Sequence, residues 1–159
     1  MDEHAIASAL QQALEQAVQE SKAPGAVACV GNSSSLIFHG AVGRRAIEPE
    51  PLPAEKDTIY DLASLTKVVA TTIAVLLLCE DGAIALDQPV DEIVPVPAFH
   101  ALTVRRLLSH SSGLTTGRPF YKNTSNLNEM LQRYAEMGVE YAPGSRRHYS
   151  DAGFMVLGK

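Results

Sequence analysis

The chain has 159 residues, 13 of them basic and 18 acidic, giving a formal net charge of −5. With 46% hydrophobic and 19% charged residues it lies near the globular average, which excludes disorder, collagen and coiled coil and predicts a buried core. The acidic balance argues against a nucleic-acid-binding face, since the basic clusters are only the pairs Arg44-Arg45, Arg105-Arg106 and Arg146-Arg147.

The chain opens with MDEHAIASALQQALEQ, which is acidic and amphipathic and lacks a basic segment followed by an apolar core. That pattern predicts no secretory leader and a cytoplasmic protein. Ile6, Leu10, Leu14 and Val18 form an i, i+4 ladder that predicts a helix over 3–21 with one face on a core, stopped by Pro24-Gly25. AVACVG (26–31) and LIFHGAVG (36–43) read as strands of a β-hairpin joined by the turn Asn32-Ser33-Ser34-Ser35. Residues 44–57 carry three prolines among acids and predict an extended surface loop.

The strongest helix is expected over 64–81, closed by Gly82. Its run IAVLLLC is apolar on every side, which predicts a helix buried all round, and the greasy stretch 68–79 is too short to span a bilayer. TVRRLLSHSSGL reads as a short helix running into a turn at Gly113. Residues 115–126 read as loop, 127–137 as a modest helix, 141–147 as a turn, and HYSDAGFMVLGK as the start of another helix. The order is α+β with few strands.

Cys29 and Cys79 sit in apolar stretches and predict two buried free thiols rather than a disulfide. The five histidines are scattered, with no H-x₃-H or C-x₂-C spacing, so no metal or cofactor is expected.

Two segments carry candidate chemistry. Ser64 and Lys67 are three apart at the start of the greasy helix, hence on one face, and Thr71 extends that polar stripe. A lysine in apolar surroundings loses basicity and can accept a proton, and a serine needs such a base to become a nucleophile. A helix N-terminus would also favour an oxyanion at Ser64. Against this, 12 serines and 5 lysines yield about 0.4 such matches by chance, so a fortuitous spacing stands as an equal alternative. The second segment is Tyr149-Ser150-Asp151, after the turn Pro143-Gly144-Ser145. A nearby ammonium would lower the phenol pKa and let Tyr149 shuttle a proton. A tyrosine packed at a helix edge, with Asp151 at the helix N-terminus, is the structural alternative.

In this order DLASLTKVVATT, LLSHSSGL and YAPGSRRHYSDAGF resemble the serine β-lactamase and penicillin-recognising hydrolase superfamily, in the branch of class C β-lactamases, family VIII esterases and D-aminopeptidases. The resemblance runs from the hairpin near Pro24 to the last residue. It implies a β-lactamase/transpeptidase-like fold, a helical subdomain plus an antiparallel sheet. It also implies one partial domain, with 1–60 the helix and hairpin of the α/β part and 61–159 the helical part. Position by position, Ser64 matches the acylated nucleophile, Lys67 its proton-handling partner, and Tyr149 the group that deprotonates the serine and protonates the leaving group. The amide of Ser64 matches half of an oxyanion hole, and His110 matches a structural position. Asp151 falls where many members have an asparagine that contacts lysine and substrate. A carboxylate there would hold Lys67 charged. Tyr121 and Lys122, in 115–126, are candidate pocket-lining residues.

Family members carry a further Lys/His-Ser/Thr-Gly motif on a downstream strand, and FMVLGK contains none. The expectation is therefore an incomplete fold without the C-terminal strands: a fragment, a truncated product or one chain of a split protein, weak or inactive alone. A hairpin with an open edge predicts pairing with a second chain or copy. The expected activity is serine hydrolysis of a small-molecule ester, amide or lactam through an acyl-enzyme. The alternatives are a non-hydrolytic penicillin- or peptidoglycan-peptide-binding module, or an inactive structural fragment.

Overall fold

A computed structural model describes residues 2–99, 101–114 and 123–159. The chain divides into two compact units, Met1–Asp61 and Leu62–Lys159. No helix among the described residues is long and apolar enough to cross a membrane.

In the first unit, α1 (Glu3–Gln19) starts at Asp2, whose carboxylate accepts the His4 amide at 3.2 Å. Its ladder Ile6, Leu10, Leu14 and Val18 is half-buried on the side toward the sheet, as the spacing predicts. β1 (Gly25–Gly31) and β2 (Leu36–Ala46) form the expected antiparallel hairpin, with Ala28 opposite Gly40 and Cys29 opposite His39. Asn32 makes the turn: its Oδ1 accepts the amides of Ser34 at 2.7 Å and Ser35 at 2.9 Å.

Two expectations change here. Residues 44–57 are not wholly loop, because β2 continues to Ala46 and Leu52–Pro53 forms a short third strand, β3, in the order β1-β2-β3. Prolines tolerate this position because an edge strand needs few amide donors. Cys29 and Cys79 are free thiols, but neither is buried. The pleat alternates side chains, so Cys29 lies on the opposite face from buried Phe38, the face that packs toward α1.

In the second unit, the predicted helix over 64–81 is a succession of geometries. Tight turns lead in, with amide-to-carbonyl bonds Leu65 to Leu62, Thr66 to Ala63 and Lys67 to Ser64 of 2.9–3.1 Å. A π-helical segment follows over Lys67–Thr72, then α2 (Ile73–Glu80), which closes at Gly82 in the left-handed region at φ +71°. Five β-branched residues between 67 and 73 (Val68, Val69, Thr71, Thr72, Ile73) weaken the preference for a regular α-helix there.

IAVLLLC is not buried all round. Only Val75 is buried, while Ile73, Leu76, Leu77 and Leu78 are exposed. The described residues cover α2 on one side, where Val75 and Leu78 border an apolar cavity of about 200 Å³ with Val90, Val94, Leu107 and Val156. Apolarity is a property of the segment, whereas burial depends on what packs against it.

The core of this unit lies among α3 (Val104–Leu108), α4 (Leu127–Met137), α5 (Asp151–Leu157) and the single 3₁₀ turns Val90–Glu92 and Pro97–Phe99. Phe99, Leu102, Leu107, Leu114, Leu131 and Val156 are its largest fully buried members. α3, α4 and α5 each have a polar cap: Thr103 Oγ1 accepts the Arg106 amide, Asn126 Oδ1 the Glu129 amide, and Ser150 Oγ the Gly153 amide. These caps fix where α3 and α5 begin, and so where the residues just before them lie. The observed architecture is α+β with an antiparallel sheet, as expected.

Candidate active site

Three stretches of the second unit converge. Ser64 stands in the tight turn that enters the π-helical segment, directly after Ala63, whose φ of +44° is left-handed. For a residue with a Cβ that conformation costs on the order of 1 kcal/mol, and such strain concentrates at functional sites. Lys67 lies three residues on, so its Nζ reaches back and donates to Ser64 Oγ at 3.1 Å. Tyr149, 85 residues away and immediately before the Ser150 cap of α5, donates its phenol O–H to the same Ser64 Oγ at 2.8 Å. Asp151, the first residue of α5, places Oδ1 2.7 Å from Lys67 Nζ.

Lys67 is therefore ringed. Its ammonium lies 5.1 Å from the centroid of the Tyr149 ring and 5.9 Å from that of Phe154, and its side chain is only 17% exposed. Burial is the largest single influence on it and lowers its pKa, as its apolar setting suggested. The Asp151 carboxylate and the Tyr149 oxygen together outweigh burial, so the net shift is upward and Lys67 is held as an ammonium. This corrects the expectation of a lysine depressed toward neutrality, and agrees with the pairing that a carboxylate at 151 was expected to impose.

Tyr149 moves the other way. Hydrogen bonding to Lys67 is the main cause, and to Ser64 the next; together they hold the phenol below its ordinary range against burial and the Asp151 charge. The phenol is thus the group whose basicity falls, while that of the amine rises.

His110 was expected only as a structural residue, yet it touches the site on two sides. Its ring lies 4.6 Å from the Tyr149 ring and 5.0 Å from the Phe154 ring, centroid to centroid. Its Nδ1 accepts the Ser150 amide at 3.1 Å. No spacing in the sequence links His110 to Ser150, which are 40 residues apart. Tyr121 and Lys122 lie outside the described residues. Asp151 is placed on Lys67 as described, with its side chain half-exposed. No cluster of three or more metal-ligating side chains occurs among the described residues.

The arrangement offers a serine hydroxyl held between a cation and a phenol of lowered pKa, open to solvent at Ser64 and Tyr149. A hydroxyl so placed can lose its proton to the phenolate while the ammonium steadies the resulting charge.

Comparisons with known proteins agree with this architecture. The profile of the Beta-lactamase family matches residues 10–159. Esterase EstB of Burkholderia gladioli is 30% identical over 94% of this chain and 43% of its own length. A crystal structure of a class C β-lactamase superposes with a TM-score of 0.83 at 25% identity, over 99% of this chain and 44% of that one. EstCE1, described as a hydrolase with promiscuous acyltransferase activity, superposes at 0.81 with 25% identity over 98% of this chain and 46% of its own. The chain thus spans less than half the length of these relatives. On its sequence match and its fold together, this chain belongs to the Beta-lactamase family.

Proposed function

We propose that the chain carries the acylation apparatus of a serine hydrolase acting on a small-molecule ester, amide or lactam. The single observation behind this reading is that Ser64 Oγ accepts hydrogen bonds from both Lys67 and Tyr149 while Asp151 anchors Lys67. In the proposed step, Tyr149 as phenolate takes the Ser64 proton and Ser64 Oγ attacks the substrate carbonyl. Tyr149 then returns the proton to the leaving amine or alcohol, and an ester to Ser64 remains. Water, deprotonated by Tyr149, releases the acid and regenerates Ser64. Lys67 supplies positive charge rather than a proton-accepting amine. The hydrolase relatives support the class of substrate. Because the chain spans less than half of their length, the test addresses the nucleophilicity of Ser64, read as phosphonylation with loss of fluoride, rather than turnover. Incubation with a fluorophosphonate should yield a single adduct that peptide mapping places on Ser64, and Ser64→Ala should take none. An unmodified wild-type chain after prolonged exposure would remove the proposal.

The ion pair favours a second reading, a module that is acylated by or binds a β-lactam or peptide without releasing product. With Lys67 tied to Asp151 at 2.7 Å, less of its charge is free to serve the later steps. This reading expects a long-lived penicillin adduct and no hydrolysed product by chromatography, whereas steady product release supports the first. Asp151→Asn discriminates at the level of mechanism. The Asp151 charge raises the phenol pKa, so its removal, with Lys67 still charged, should move the pH midpoint of Ser64 labelling downward. A midpoint that moves upward, measured from about pH 6 to 10 around the tyrosine range, would contradict the phenolate step.

A further inference from the structure

The approach of Tyr149 to Ser64 needs a physical cause, because Tyr149 precedes α5 in a segment with no regular structure of its own. Its side chain is half-exposed, and nothing in its own backbone pattern would aim it. The neighbouring amides supply that cause. The amide of His148 donates to the carbonyl of His110 at 2.8 Å, and the amide of Ser150 donates to His110 Nδ1 at 3.1 Å. One residue therefore ties down the backbone on both sides of Tyr149, while its ring lies against the Tyr149 ring at 4.6 Å with a tilt of 32°.

We infer that His110 is the positioning residue for Tyr149, gripping the two amides that flank it and backing its ring so that the phenol is aimed at Ser64. This rests on the role proposed above for Tyr149 in acylating Ser64.

Three features make His110 suited to the task. First, it follows the end of α3 with φ +55°, a left-handed conformation that turns its carbonyl and ring toward the 148–150 segment. Histidine is among the residues that enter this region more readily than most. Second, the same turn is clamped elsewhere: the amide of Gly144 donates to the Ser111 carbonyl at 2.7 Å and that of Glu140 to the Gly113 carbonyl at 2.8 Å. The grip on Tyr149 is thus the last in a series that docks 140–150 against the turn. Third, an Nδ1 that accepts an amide proton cannot itself carry one, so the bond requires a neutral imidazole with its hydrogen on Nε2.

The surroundings favour that state. Burial, the Lys67 ammonium of the π-helical segment and Arg147 all disfavour a charged ring, against the pull of Asp151; among the described residues Tyr149 is a further titratable group in contact. The ordinary imidazole value is about 6.5, and the folded value lies below it. As pH falls from the ordinary value through the folded one, the unfolded chain gains a proton that the fold resists. The grip therefore weakens toward acid and is intact above.

The test uses the 159-residue chain with His110→Ala, which deletes the ring acceptor, and His110→Asn, which keeps a short acceptor and tolerates the left-handed turn. Tyr149 ionisation is read from ultraviolet absorbance as the difference from Tyr149→Phe, and Ser64 nucleophilicity from the fluorophosphonate labelling rate. In His110→Ala the Tyr149 titration should move up toward the ordinary phenol value of about 10, and labelling should slow by up to about 100-fold. His110→Asn should recover most of both. A Tyr149 titration unchanged in His110→Ala, or unrestored in His110→Asn, overturns the inference. Should His110→Ala fail to fold, the wild-type chain decides by NMR: the Ser150 amide and the Tyr149 ring signals must follow the His110 titration with its midpoint, and signals indifferent to it overturn the inference. A chain whose Ser64 takes no label, but whose Tyr149 still shifts upward in His110→Ala, removes the hydrolase reading and supports the positioning one.

Discussion

Tyr149→Phe is expected to slow fluorophosphonate labelling of Ser64 by about 100- to 10,000-fold, the range for loss of a positioned general base. The change removes one oxygen and leaves the ring, so the contacts with His110 and with the Lys67 ammonium remain. The phenol oxygen bonds to Ser64 at a solvent-exposed site, and the variant should unfold close to the wild-type temperature. The pH profile carries the mechanistic information. In the wild-type chain labelling should rise with pH toward the lowered pKa of Tyr149 and then level, because the proposed step uses the phenolate. In the phenylalanine variant that limb should vanish. A variant that labels at the wild-type rate with an unchanged profile would exclude Tyr149 from the chemistry.

Lys67→Met is expected to cost on the order of 100- to 1,000-fold in the same rate, as for removal of one preorganised donor at a developing charge. Methionine replaces the stem with an unbranched chain of similar reach, so packing near Phe154 is retained. Two electrostatic effects then act in the same direction. The ammonium that lowers the phenol pKa disappears, and the Asp151 carboxylate, which raises it, is left uncompensated beside Tyr149. The labelling midpoint must therefore move up in pH, opposite to the shift expected of Asp151→Asn. A midpoint that stays fixed in Lys67→Met would mean that the cation does not control the phenol, and a Lys67 amine acting as the base would have to be reconsidered.

These opposed shifts follow from a division of labour that only the spatial arrangement supplies. A lysine on a greasy helix has lowered basicity as its default, and burial remains the strongest influence on Lys67. The balance is tipped by Tyr149 and Asp151 together, the latter 84 positions along the chain yet 2.7 Å away in space. The same distinction separates the legible from the illegible parts of the fold. The hairpin was readable because Asn32 and the serines after it make the turn by local hydrogen bonds. Helix α4 was readable because its apolar positions repeat at helical spacing and Asn126 and Glu129 cap its start. The short strand β3 and the exposed outer sides of α2 were not, since each depends on pairing or covering by residues outside its own segment.

The family resemblance, the i, i+3 partnership of Ser64 with Lys67 and the order of the elements lie within the linear chain, because motif spacing and capping act over a few residues. Tertiary structure alone decided in which direction the basicity of Lys67, Tyr149 and His110 moves, which greasy surfaces find cover, and how His110 bonds the backbone around Tyr149. Charge state and burial depend on neighbours in three dimensions, and sequence distance carries almost no information about them.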